Sequence, residues 1–146
     1  SNCSGESARH WSKKYQIHDI AKQFGNSEVE RGVDKYVADI LFEQEWAFEV
    51  VISNPPSDEK FADLKERLVI FDFTDMNWID DNERCGESLD ELVEQISTSI
   101  IEGNTEVRDF PVCTDCRRVR GVYSRIKTGM RCPTCDMYGY PWPKIS

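Results

Sequence analysis

Apolar positions recur along this chain with two different periods, and the switch between them outlines the elements. A short helix is expected from about Tyr15 to Phe24, with Gly25 as its stop. Ser27-Glu-Val-Glu30 reads as a capping box, in which hydroxyl and carboxylate each satisfy a free backbone N–H. Val29, Val33, Val37, Ile40 and Leu41 follow at helical spacing, so a second helix is expected there, weakened at Gly32. Trp46 to Ile52 and Leu68 to Phe73 are apolar runs of strand length, separated by a break at Asn54-Pro-Pro-Ser57. A short helix from Asp58 to Glu66 is expected between them, with Phe61, Ala62 and Leu64 inward.

Asn77 to Gly86 reads as an acidic loop. Ser88-Leu-Asp-Glu91 is a second capping box. It opens a helix with Leu89, Leu92, Val93, Ile96, Ile100 and Ile101 on one face, stopped by Gly103-Asn104. A last strand is expected from Glu106 to Val112, with Pro111 marking an edge or an exit. No internal repeat or low-complexity segment interrupts the pattern. The class expected is α+β: a small mixed body with about three helices and a short sheet, plus a C-terminal appendage. The boundaries expected are a flexible segment 1–14, an acidic body 15–107 and a small domain 108–146.

Charge separates the same regions. The net charge is −9. From Cys113 onward seven basic residues face two acidic ones, while the preceding 112 residues carry 11 basic and 25 acidic side chains. Such asymmetry divides a body from a tail that meets nucleic acid or a partner. No apolar run approaches the roughly 18 residues that cross a bilayer, so no membrane contact is expected. The lack of a secretion signal points to a reducing compartment, cytoplasm or nucleus.

Four of the six cysteines, Cys113, Cys116, Cys132 and Cys135, are spaced C-x2-C-x15-C-x2-C. Two residues between paired cysteines let both sulfurs reach one ion from a tight turn. Two such turns close a tetrahedral four-thiolate shell, leaving no position for a reacting water, so one structural Zn2+ is expected. Two disulfides or an iron centre are the alternatives the spacing leaves open. Cys3 and Cys85 have no pairing logic. The segment from about residue 108 to the end resembles a zinc ribbon, a family with two cysteine knuckles on short β-hairpins. That resemblance implies ligation by the four cysteines and leaves function open. Asp136 stands where many ribbons have Gly.

Between the knuckles, Arg118 to Ile126 reads as a strand and Lys127 to Met130 as a turn. Arg117, Arg118, Arg120, Tyr123, Arg125, Lys127 and Arg131, then Tyr138, Tyr140 and Trp142, interleave cations with aromatic rings. Cations neutralise phosphates and rings stack on bases, which suits single-stranded nucleic acid. The competing reading is that these groups dock the ribbon on the acidic body or on a protein partner.

Three stretches of the body carry partial resemblances. Ile17 to Gly25 followed by Ser27 is similar to the opening of a helix-turn-helix, but Arg31 stands where an apolar residue is needed and Glu28, Glu30 and Asp34 repel phosphates. Phe48 to Ser57 resembles the Asn-Pro-Pro-Tyr motif of amino-methyltransferases, with Ser57 in place of the aromatic. Leu68 to Asp75 resembles the nucleophile strand of haloacid-dehalogenase-like phosphatases, with Thr74 in place of the second Asp. Asp72, Asp75, Asp80 and Asp81 read instead as a solvated acidic face or a weak cation site. His10 and His18 have no partner pattern. No catalytic constellation emerges, and the protein is expected not to be an enzyme. The expectation is a non-enzymatic zinc-binding regulator whose ribbon meets nucleic acid or a nucleic-acid machine such as RNA polymerase, and whose acidic body meets a protein partner. An interaction adaptor with purely structural zinc and an acidic nucleic-acid mimic are the alternatives. Oligomeric state is left open.

Overall fold

The computed structural model describes residues 7–73, 88–105 and 110–119. The elements are helix α1 (Ala8–Ala21), strands β1 (Ser27–Val33), β2 (Tyr36–Phe42) and β3 (Trp46–Val51), helix α2 (Asp58–Leu64), strand β4 (Leu68–Asp72) and helix α3 (Leu89–Glu102). A single 3-10 turn, Lys65–Arg67, joins α2 to β4. The strands form one sheet in the order β1-β2-β3-β4. The first three run antiparallel and β4 runs parallel to β3. The fold is α+β. No described helix is long and apolar enough to cross a membrane.

Serines set where the helices begin. Ser88 and Glu91 form the reciprocal capping box expected from the sequence, and α3 ends on Gly103 with a left-handed φ of 79°. Ser57, after the Pro-Pro break, accepts from the Lys60 N–H and caps α2. That role accounts for the Asn-Pro-Pro-Ser stretch. On α2 only Phe61 and Leu64 turn inward, while Ala62 is exposed. On α3 the apolar face ends earlier than expected, since Ile101 is 49% exposed. Ser7 accepts from the His10 N–H, so α1 starts well before Tyr15. Residues 8–14 are therefore helix rather than part of a flexible segment. The apolar stripe gives no sign of this because α1 turns Lys14 inward, 1% exposed and paired with Glu30.

The helix expected from Ser27 to Leu41 is instead the β1–β2 hairpin, with pairs running from Ser27↔Phe42 to Val33↔Tyr36. A strand rather than a second helix directly follows α1, and the helix-turn-helix reading falls with it. The β-branched residues that made a helical stripe favour a pleated strand more strongly. Asp34, at φ 54°, turns the chain. The ladder skips Glu30 and Asp39, and Glu30 has a left-handed φ of 55°. There the alternation slips: Ile40 and Phe42 join the core on one face, while Ala38 joins the other.

Two cores result. On one face α1 and α3 cover Ile40, Phe42, Phe48, Val50, Val69 and Phe71 with Ile17, Ala21, Leu92, Val93 and Ile96. On the other, α2 brings Phe61 and Leu64 over Leu41, Ala47, Val51, Leu68 and Ile70. Residues 110–119 take part in both. Phe110, Val112 and Val119 join the first core, and Cys113 and Cys116 join the second. Ile70 bridges Arg118 in parallel across the edge of β4 that β3 leaves open. The crossovers β3-α2-β4 and β4-α3-119 advance the sheet in the same direction with helices on opposite faces. They therefore have opposite hands, and one departs from the right-handed rule.

Candidate metal centre

The cysteine turn is built from the chain immediately before Arg118, the residue that bridges β4. Val112 pairs with Val119 in antiparallel fashion, which closes a small loop around Cys113 and Cys116. The Arg117 N–H donates to the Cys113 carbonyl at 3.0 Å, and the Cys113 N–H donates to the Arg118 carbonyl at 3.0 Å. Arg117, directly after the second cysteine, has φ 60°. A left-handed residue here lets the backbone fold back under the two sulfurs. The Asp115 N–H points at Cys113 Sγ at 3.4 Å, which favours a charged sulfur.

Both sulfurs are buried, Cys113 at 2% and Cys116 at 0% exposure, and among the described residues no disulfide joins them. The donor set fits half of a tetrahedral thiolate site. Among the described residues no group of three or more His, Cys, Asp or Glu converges on a metal position. Cys132 and Cys135, the other half of the expected shell, lie outside the described residues.

The turn is seated on the body through its two arginines. Arg117 Nε donates to the Leu68 carbonyl at 3.0 Å. Burial depresses the Arg117 guanidinium, while the negative charge of Glu66, Cys113 and Cys116 opposes that shift. Arg118 Nε lies 2.9 Å from Asp72 Oδ2, with both side chains 1% exposed. The expectation that these two arginines project towards a partner is not met. The body holds them because β4 offers a free carbonyl and a buried carboxylate beside its open edge. Asp72 is likewise no part of a solvated acidic face. Asp75, Asp80 and Asp81, the acidic loop 77–86, and Glu106 to Asp109 of the expected last strand lie outside the described residues. So do Cys3 and Cys85, and so do Arg120, Tyr123, Arg125, Lys127, Arg131, Tyr138, Tyr140 and Trp142.

Asp72 and Leu68 are partners that sequence reasoning missed. The available signal was a carboxylate inside the most apolar run of the chain, where an acidic side chain needs a cation. A partly buried polar cluster lies where β2 and β3 part, with Glu49 its buried member. The Asp39 N–H donates to Glu49 Oε2 at 3.0 Å, and the Val50 N–H donates to Asp39 Oδ2 at 2.8 Å. Lys60 from α2 donates to Glu49 Oε1 at 2.8 Å and to the Val37 carbonyl at 2.9 Å. His10 Nε2 from α1 lies 3.3 Å from Asp39 Oδ2. Side chains here replace ladder bonds, so the cluster serves the fold.

Neither a protein-family model, nor a curated protein, nor a solved structure matches the chain.

Proposed function

We propose that the protein is a non-enzymatic zinc-binding regulator whose ribbon touches nucleic acid or a nucleic-acid machine while its acidic body holds a protein partner. The observation that carries the metal half is the turn at Cys113 and Cys116. Two buried cysteine sulfurs sit in a closed turn with an N–H aimed at one of them. A second C-x2-C pair follows in the sequence. Cys113, Cys116, Cys132 and Cys135 would hold one Zn2+, whose chemistry there is structural. The nucleic-acid half rests on the interleaved cations and rings beyond Arg118. With Arg117 and Arg118 engaged by the body, it falls to Arg120, Tyr123, Arg125, Lys127, Arg131, Tyr138, Tyr140 and Trp142.

The same engagement favours a second reading, an adaptor in which the zinc-bound tail only docks against protein. Elemental analysis of the purified chain tests the metal, with one zinc per chain expected. Gel shifts with single-stranded and duplex oligonucleotides at low salt test the rest. Binding that weakens in an Arg120→Glu/Arg125→Glu variant, with a flatter salt dependence, supports the first reading. No shift at tens of micromolar protein leaves the adaptor.

A further inference from the structure

We propose that the outer edge of β1 at Arg31–Val33 is a docking groove for an extended, basic segment of a partner protein. The segment adds to the sheet as a further strand and packs apolar side chains on Trp11 and Val37. The inference rests on the reading of the acidic body as a partner-binding surface, and it gives that partner a place and a chemistry.

The backbone supplies the first half of the site. β1 ends the sheet, with β2 on one side and, among the described residues, no strand on the other. Outside the ladder with β2, Ser27 to Val33 make no backbone hydrogen bond among those residues. In an antiparallel pair alternate residues turn their N–H and C=O groups away from the partner strand, so β1 presents such groups at this edge. Glu30, with its left-handed φ of 55°, interrupts the edge and sets Arg31–Val33 apart as the stretch next to the hairpin turn. Gly32 in that stretch is exposed, and a Cβ built there would meet only the Tyr36 carbonyl, at 3.9 Å. A glycine in a strand lets another backbone come close.

Helix α1 supplies the second half. His18 pairs with Ser27 and Lys14 with Glu30, so the helix runs against β1 and its first turns reach Arg31–Val33. Arg9 and Lys13 lie over the Phe73 ring, 6.0 and 5.1 Å from its centroid, which fixes the flank of α1 that faces β4. Helical spacing puts Trp11 and Tyr15 on the opposite flank, on the side of the β1 edge. Their rings stand 4.8 Å apart, and Trp11 is 55% exposed. Val37, which pairs with Gly32 across the hairpin, is 60% exposed. Its neighbours Tyr36 and Ala38 both belong to the core under α2, so Val37 points to the face that α1 covers. Three large hydrophobic side chains are exposed among the described residues, and two of them thus flank this one stretch. Strand addition draws affinity from main-chain bonds and selectivity from such side-chain contacts.

Charge selects the occupant. Residues 1–112 hold 25 acidic and 11 basic side chains. On β1 itself, Glu28 and Glu30 stand against Arg31 alone, and the Lys14 that meets Glu30 is buried while Glu30 is 59% exposed. That field draws in a basic segment. A second copy of the chain fits less well, because two molecules of net charge −9 repel.

The test is NMR on the full chain, titrated with a blocked peptide of alternating lysine and valine. Expected are saturable shifts at the Gly32 and Val33 amides and at the Trp11 indole N–H. Binding weaker by about tenfold or more is expected for a glutamate–valine peptide, for the lysine–valine peptide N-methylated at every residue, and for Trp11→Ala. Trp11→Ala removes an exposed ring, and unmoved amide signals in β3 and β4 verify that the variant folds. Equal binding of the N-methylated peptide overturns strand addition. Saturable shifts elsewhere on the body, with Gly32 unmoved, overturn the groove and leave the partner-binding reading standing. No shift with either charged peptide at millimolar concentration overturns both. Shifts at Gly32 on raising the protein concentration alone, with a dimer in sedimentation, overturn the basic partner in favour of a second copy.

Discussion

Arg118 and Asp72 meet 2.9 Å apart with both side chains 1% exposed, at the point where the cysteine turn joins the sheet. The contact joins two opposite charges that are both buried. Buried pairs of this kind gain little over apolar replacements, but they are costly to break from one side. Arg118→Met is expected to destabilise the chain by about 3–5 kcal/mol, because it removes the guanidinium beside a buried carboxylate. Arg118→Met with Asp72→Leu should recover most of that loss. Urea unfolding of both variants measures it. A double variant as unstable as the single one would mean that packing at these positions, rather than charge, is what matters.

Glu49 makes stability depend on pH. Burial pushes its carboxyl up, Asp39 adds to the rise, and Lys60 opposes it. The folded chain therefore holds this proton to higher pH than the unfolded chain, where the ordinary value is 4.5. The stabilisation is complete below that value and is lost as pH rises through the folded one. Glu49→Gln cannot lose it. The stability of the variant relative to the parent should thus improve as pH rises above the ordinary carboxylate value of 4.5. Urea midpoints across the range would show it, and a flat or falling difference would refute the assignment.

Gly25 is required for space. Its φ is not left-handed, but an added Cβ would lie 2.7 Å from Phe42 Cζ and 2.7 Å from Glu43 Oε2. Phe42 is fully buried and stacks on Phe48 at 5.3 Å, so its ring has nowhere to retreat. Glu43 Oε2 also accepts from the Asn26 N–H at 2.7 Å. Gly25→Ala should cost about 1–3 kcal/mol, the usual range for overpacking. A thermal midpoint equal to the parent's would show that the ring yields.

The parts of the fold legible in the sequence are those where local and tertiary signals agree. At Ser88 the capping box, the apolar face and Gly103 all describe α3. β3 and β4 are legible as short apolar runs because both faces of the sheet are covered there. The β1–β2 hairpin is hidden in the sequence because Ser27 and Glu30 have the letters of a capping box but other roles. Ser27 Oγ pairs with His18 Nδ1 at 2.8 Å, and Glu30 pairs with Lys14. Both partners come from α1, so the signal that decides them lies outside the window. The cysteine spacing announced the turn at Cys113 and Cys116. It did not announce that Arg117 and Arg118 serve the body, because their partners lie in β4, far back along the chain.

The parallel bridge between Ile70 and Arg118 also orders events during synthesis. Domains begin to form as the chain emerges from its N-terminus. Each strand here lies beside the one made just before it, from β1 to β4, so a nascent sheet grows in step with translation. Its last edge waits for α3 to emerge and then for the two arginines. The second cysteine pair leaves the ribosome later still. A sheet edge that stays open until Arg118 is made gives a chaperone, or a neighbouring nascent chain, a defined interval in which to find it.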